Sequence, residues 1–277
     1  RNHQNIARFY SEDGGKSWSK PEDIAESIYS QFDNSIYGPV RSMFVASGRI
    51  FQSRMVKVND YYRLYCAILV RDKSATHMNY VLYSDDFGAS WTILGDKDTP
   101  AVYRTADEPK VEELPDGSIL ISSRYNGGRY YNLFVFTDAV SAVGNWQNAA
   151  FSGATNGGVE AKDNSTNGEV MLIPVVRNSD GKKMHILLQS LPLGPSRRSV
   201  GIYYKELADQ MDYLSPADIA RHLHFKLLYR LHGGHLRDRL LLLRLLYHLR
   251  IRPRLCKGFR KAVFPIRIFL GAVGLDG

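Results

Sequence analysis

Two residues in the middle of the chain have the most to offer chemically, Glu108 and Arg124. They sit in a run that reads as strand, Pro115-Asp116-Gly117 turn, strand. Antiparallel pairing across such a hairpin returns Arg124 to the neighbourhood of Glu108. A carboxylate takes and gives protons, and a guanidinium holds anions. Together they can form a plain salt bridge or a working pair, and the residues alone leave both open. The other reactive side chains are scattered. His3, His77 and His185 are isolated and read as structural, and five further histidines after residue 220 make no ligand set. Cys66 and Cys256 have no metal-ligand spacing and are too few for a disulfide framework.

The elements around this pair read as all-β up to about residue 220. Short runs of β-branched and aromatic residues recur at 62–70, 80–83, 118–122, 133–136 and 169–176. Asp13-Gly14-Gly15, Asn126-Gly127-Gly128 and Asp180-Gly181 separate some of them. Many short strands between regular turns predict a sandwich, barrel or propeller. A short helix is expected within 206–223, with Ser215 as N-cap and Pro216 at the first helical position.

A turn is repeated. Ser11-Glu12-Asp13-Gly14-Gly15-Lys16-Ser17-Trp18 and Ser84-Asp85-Asp86-Phe87-Gly88-Ala89-Ser90-Trp91 share Ser-x-Asp-x-Gly-x-x-Trp. The Asp can accept bonds from loop N–H groups, the Gly supplies positive φ, and the Trp packs on the hairpin. Thr137-Asp138 followed by Trp146 reads as a degenerate third copy. Such turns are structural.

The chain has 277 residues, 44% hydrophobic and 23% charged, which excludes overall disorder. It has no apolar run long enough to span a membrane, and residues 1–10 lack the apolar stretch of a signal peptide. Arg1 in place of a methionine leads us to expect sequence upstream. The net charge of +8 invites a nucleic-acid reading, but residues 221–277 hold 13 Lys/Arg and only 2 Asp/Glu, leaving the body mildly acidic. That tail contains no Ser, Thr, Asn, Gln, Glu, Met or Trp and is dominated by Leu and Arg. A basic segment binding anionic lipid or nucleic acid is one reading. Translation out of frame is the preferred one, because the turn and capping residues of a soluble domain are nearly missing.

The repeated turn resembles the Asp-box of the sialidase (neuraminidase) family, and this implies an all-β, six-bladed β-propeller. At about 40–50 residues per blade, residues 1–220 would hold four or five blades, with a sixth supplied by sequence beyond one or both ends. The stretch from Asp107 to Arg124 resembles the bacterial segment in which a Glu precedes an Arg across a hairpin. Gln52-Ser53-Arg54, the run 79–86, the run 125–132 and Gly201 to Leu207 are similar to Bacteroidetes-type secreted sialidases. The resemblance covers most of 1–220 and none of 224–277.

The resemblance implies retaining hydrolysis of a terminal α-linked sialic acid by an exo-α-sialidase. Three arginines hold the sugar carboxylate, a task that suits the planar, always charged guanidinium. Arg124 matches the second and Arg197 the third, with Arg198 one register step away. A Tyr is the nucleophile, and Glu108 takes its proton. The chemistry requires no metal and no cofactor. The implied partners are sialylated glycans, glycoproteins or glycolipids, in a secreted, periplasmic or cell-surface setting, with no nucleic acid. Three family features find no match: an Arg-Ile-Pro motif, the acid/base Asp after it, and an Ala-Tyr-Ser segment carrying the nucleophile. Little or no hydrolytic activity is therefore expected of this sequence, and a non-catalytic propeller binding sialoglycans is the alternative.

Overall fold

The computed structural model describes residues 5–45, 48–103, 107–161, 167–192, 200–207, 214–221, 224–227, 251–253 and 267–273. They form four antiparallel sheets in chain order. The first holds β1 (Asn5–Ser11) and β2 (Glu22–Asp23), followed by the helix α1 (Ala25–Tyr29). The second holds β3 (Ser42–Val45), β4 (Phe51–Val58), β5 (Tyr61–Arg71), β6 (His77–Ser84), β7 (Thr92–Ile93) and β8 (Val102–Tyr103). The third holds β9 (Asp107–Glu113), β10 (Ile119–Tyr125), β11 (Gly128–Asp138), β12 (Val143–Trp146) and β13 (Ala150–Gly153). The fourth is built on β14 (Val170–Arg177), β15 (Lys183–Pro192) and β16 (Val200–Leu207), and the short helix α2 (Pro216–Ala220) follows. Three strands beyond residue 220 join by backbone pairing: β17 (His224–Leu227) to β16, β18 (Ile251–Pro253) to β14, and β19 (Arg267–Val273) to β1. No closed ring of sheets is seen among the described residues.

Strand periodicity explains how the sheets stack. Along β5, Leu64, Cys66, Ile68 and Val70 enter one core, shared with Ile28, Phe32 and Trp91. The alternate residues Tyr65 and Ala67 enter another, shared with Val111, Ile119, Ile121 and Phe134 of the third sheet. In β10, Ile119 and Ile121 face the second sheet, while Leu120 faces a core with Val170, Leu172 and Leu187 of the fourth. Successive side chains point to opposite faces, so a sheet covered on both faces needs unbroken apolar runs. That is why 62–70 and 119–121 lack the polar alternation of a one-sided sheet. The expected strands run longer than their apolar centres, and strand β16 occupies the start of the region expected to hold a helix. The helix itself is α2. There Asp218 N–H donates to the Ser215 hydroxyl (3.2 Å) and Ser215 N–H to the Asp218 carboxylate (2.9 Å).

The two full turn repeats fold alike. The Ser11 hydroxyl donates to Asp13 (2.8 Å), and Gly15 N–H donates back to that hydroxyl (2.8 Å). Ser84, Asp86 and Gly88 do the same at 2.8 and 2.7 Å. Ser17 and Ser90 each give both backbone N–H and hydroxyl to the Asp four positions earlier in the turn. Gly88, at φ 82°, sits in the left-handed region that the tight return demands. Trp91 is buried as expected, whereas Trp18 stays 44% exposed. Asp138 accepts from the backbone N–H groups of Val140 and Ser141, so the degenerate copy keeps the carboxylate's role. Arg63, fully buried, joins the second and third copies: it grips the Asp85 carboxylate and the carbonyls of Ala139 and Val140.

The tie between three sheets is the Glu112 carboxylate, which has no exposure. It accepts from Arg49 and Arg54 (2.9 Å for Arg54), and from the Leu172 N–H of β14 at 2.9 Å. Next to it Glu113 accepts from the Ser53 hydroxyl and the Arg54 N–H of β4. Burial pushes the Glu113 carboxyl up, opposed by the Ser53 and Arg54 bonds.

Removing one partner of a buried pair strands the other charges, a loss of about 3–5 kcal/mol. Arg49 and Arg54 keep partial access to water, so Glu112→Ala is expected near the lower end, read as a fall in the urea midpoint, and Glu112→Gln less. A midpoint unchanged by Glu112→Ala contradicts this role. The turns give a pH prediction. Asp13 is held below the ordinary carboxylate range chiefly by the Ser17 hydroxyl, and Asp86 by Ser90, against an opposing burial effect. A depressed folded pKa gives stability that is complete above the unfolded value, about 3.9, and lost as pH falls through the folded one. Asp86→Asn is expected to flatten the decline of the urea midpoint as the pH falls below about 4. An unaltered slope contradicts it.

Candidate functional site

The hairpin β9–β10 brings the two sequence candidates together. Arg124 Nη1 donates to Glu108 Oε2 at 2.8 Å and stands 3.7 Å from Asp107 Oδ2. The register explains how. Ser122 pairs with Lys110, but Arg124 pairs with Asp107, so β9 carries one extra residue there. This is a bulge at Glu108-Pro109, and bulges re-aim side chains at strand ends. Pro109 suits it, because it has no N–H to leave unpaired. Glu108 takes φ 30°, a conformation rarely adopted by a residue with a side chain, and its N–H is held by Asp107 Oδ1 at 2.8 Å. Such strain persists only where surrounding structure imposes it, and it clusters at binding sites.

An open pocket of about 220 Å³ lies over this strand end, lined by Asp107, Arg124, Tyr125 and Asn126. The side chains of Arg124 and Glu108 are about a quarter exposed and that of Asp107 about a third. A guanidinium partly in water and already oriented by two carboxylates can take an incoming anion.

Beneath the pocket lies a buried polar layer. Arg129, the cross-strand partner of Arg124, is fully buried and donates to the Ser122 hydroxyl (2.7 Å) and carbonyl (2.9 Å). The Ser122 hydroxyl donates to Gln189 Oε1 of β15 at 2.7 Å, and the Tyr131 hydroxyl donates to the same oxygen at 3.2 Å. Burial lowers the Arg129 pKa, while Glu169 and Glu108 oppose the effect. Burial likewise lowers Lys110, again opposed by Glu169 and Glu108, and raises Glu169, opposed by Arg49 and Lys110. Glu108 thus sits at the exposed end of a group of compensating charges.

Sequence reasoning found Glu108 and Arg124 but missed Asp107, Tyr125 and Asn126. Adjacency to the pair was the available signal. Arg197 and its neighbour Arg198 lie outside the described residues, as does His3. Arg54, part of the Gln52-Ser53-Arg54 segment, serves Glu112 rather than the pocket. Among the described residues, no group of three or more His, Cys, Asp or Glu side chains is placed to hold a metal ion. Nor is any helix long and apolar enough to cross a membrane.

No protein-family model matches the chain, and no curated protein sequence matches it. Solved structures do. The Trypanosoma rangeli sialidase, in complex with the inhibitor DANA, superposes at a TM-score of 0.50 with 16% identity, over 79% of this chain and 30% of that one. A Hadza microbial sialidase superposes at 0.50 with 21% identity, over 73% of this chain and 34% of that one. This chain therefore spans about a third of the length of the sialidases it matches. It is an all-β chain with a sialidase-like fold.

Proposed function

We propose that the Glu108–Arg124 pocket is the carboxylate-holding part of an exo-α-sialidase site, acting on terminal α-linked sialic acid. The observation that carries this reading is the 2.8 Å pair at a strained bulge over an open pocket. The sialidase-like fold and the two like-folded turns support placing residues 1–220 within a six-bladed propeller with Asp-boxes, and the Bacteroidetes type is proposed on the sequence segments 52–54, 79–86, 125–132 and 201–207 alone. In this reading the family likeness ends near residue 220, and the tail beyond it adds three short strands to the edges of the first and fourth sheets.

Arg124 holds the sugar carboxylate, joined by Arg197 or Arg198. Glu108 takes the proton of a tyrosine hydroxyl, whose ordinary pKa of about 10 makes it a weak nucleophile unaided. Tyrosinate then attacks the anomeric carbon as the glycosidic C–O bond breaks. The leaving oxygen takes a proton from an acid/base Asp that has no match in this sequence. Water, giving its proton to that Asp, then displaces the tyrosine from the same carbon, so the configuration is retained by a route outside the two-carboxylate scheme. No metal enters. The substrates are sialylated glycans on proteins or lipids, met in a secreted, periplasmic or cell-surface setting. A second reading, a sialoglycan-binding protein without turnover, is favoured by one observation: no tyrosine of this sequence stands in a segment matching the nucleophile's.

Both readings predict that the purified chain binds a methyl α-sialoside and that Arg124→Ala weakens binding about tenfold or more, since a charged hydrogen-bonding partner is lost. Calorimetric titration checks it, and wild-type affinity in Arg124→Ala contradicts both. Fluorophore release from an aryl α-sialoside is expected at background. Release that disappears in Glu108→Gln would instead mean that this chain supplies its own nucleophile.

A further inference from the structure

The hairpin that joins β10 to β11 turns on Asn126-Gly127, and Asn126 lines the pocket. Asn126 is exposed, and Gly127 stands at φ 76°, in the left-handed region that closes so short a turn. Among the described residues the Asn126 amide has no hydrogen-bond partner, and neither has the Gly127 N–H. Nothing lies within 4 Å of the place a Cβ would take on Gly127, so the turn is open on that side. The strands behind it are fixed. Tyr125 packs edge-to-face on Tyr130 (centroids 5.1 Å) and on Phe151 (5.7 Å), and Phe151 lies over the bare backbone of the cross-strand pair Gly128 and Gly153.

An asparagine followed by glycine carries an electrophile and a nucleophile in adjacent residues. The glycine nitrogen, once its proton has gone to water or hydroxide, can attack the asparagine Cγ. Ammonia leaves with Nδ2, and a five-membered succinimide forms. Water then opens the ring, at Cγ to give aspartate or at the main-chain carbonyl to give isoaspartate. The net change is amide and water to carboxylate and ammonium. Glycine permits the attack because it has no side chain to shield the nitrogen. The sequence holds three such pairs, starting at Asn126, Asn156 and Asn167. The other two are guarded. The Asn156 amide donates to the Phe151 carbonyl at 2.7 Å and accepts from the Gly153 N–H at 3.0 Å, and the Gly157 N–H donates to the Ala154 carbonyl at 3.4 Å. Gly168 is buried so tightly against β15 that a Cβ would overlap the Ser190 carbonyl oxygen.

We propose that Asn126-Gly127 is a self-modification site: the turn converts Asn126 to a carboxylate, with water as co-reactant, and the new charge closes the pocket to anions. Arg124 is already shared between Glu108 at 2.8 Å and Asp107 at 3.7 Å. A third carboxylate among the pocket-lining groups draws on the same guanidinium and repels an incoming carboxylate. Isoaspartate also adds a methylene to the main chain of the hairpin tip. The conversion stands on the turn alone, whereas the closure rests on the functional reading above.

The test ages the whole chain at mildly alkaline pH and maps the three pairs by peptide mass spectrometry. Asn126 should convert about tenfold faster than Asn156 or Asn167, which must open locally before they react. Asn126→Gln, which would need a six-membered ring, should stay an amide. No conversion at Asn126, or equal conversion at all three pairs, overturns the site. Calorimetric titration with methyl α-sialoside then reads the closure. Fresh Asn126→Asp differs from wild type in charge and hardly in shape. It should bind about fivefold more weakly at low salt, with the gap narrowing as salt is added. Aged wild type should lose affinity as its carboxylate fraction grows, while equally aged Asn126→Gln keeps the affinity it had when fresh. Wild-type affinity in Asn126→Asp overturns the closure and leaves the conversion standing. A fresh wild-type chain that binds no sialoside overturns the functional reading and the closure with it, and the mass map still decides the conversion.

Discussion

A single buried carboxylate organises this molecule. Glu112 accepts from Arg49 and Arg54 of the second sheet's chain segment and from the backbone of Leu172 in the fourth sheet, while it belongs to the third. A charge taken fully out of water is tolerable only when nearly every lone pair is occupied. That condition fixes where three sheets stand relative to one another. The apolar cores on either side of β10 supply most of the favourable free energy, but they are nondirectional. The Glu112 bonds, with those of Arg63 and Gln189, set the register of sheet against sheet.

The pocket is a consequence of that arrangement. Lys110 and Glu112 share one face of β9, and the bulge at Glu108-Pro109 interrupts the alternation before Glu108, so the strand ends at the pocket with Asp107 opposite Arg124. Lys110, Glu169 and Arg129 offset one another's charge, and each is shifted by burial in the direction that its desolvation dictates. The bulge at Glu108-Pro109 then turns the last carboxylate toward Arg124. The charges around β9 are thus buried at the Glu112 end and open at the pocket end.

Much of this could be read from the sequence because it is local. The hairpin around Pro115-Asp116-Gly117, the Ser215 cap and the Asp13 and Asp86 turns depend on residues a few positions apart, and each folds as its pattern predicts. The pairing of Glu108 with Arg124 was legible for the same reason. The role of Arg54 was not, since it is set by Glu112 some sixty residues away. Nor was the Tyr125 cluster, because the seat for Phe151 depends on Gly128 meeting Gly153 across two strands. Trp18 and Trp91 occupy equivalent places in one repeat yet differ in exposure, since burial depends on what the neighbouring sheet puts over the ring.

The central claim is that Arg124 receives a sugar carboxylate. It is tested most directly by comparing methyl α-sialoside with the same glycoside whose carboxylate is esterified, by calorimetric titration at low salt. The account predicts binding of the free carboxylate and a loss of about tenfold or more on esterification, because the ester removes the charge and one good acceptor while leaving every hydroxyl in place. Equal binding of acid and ester would contradict it.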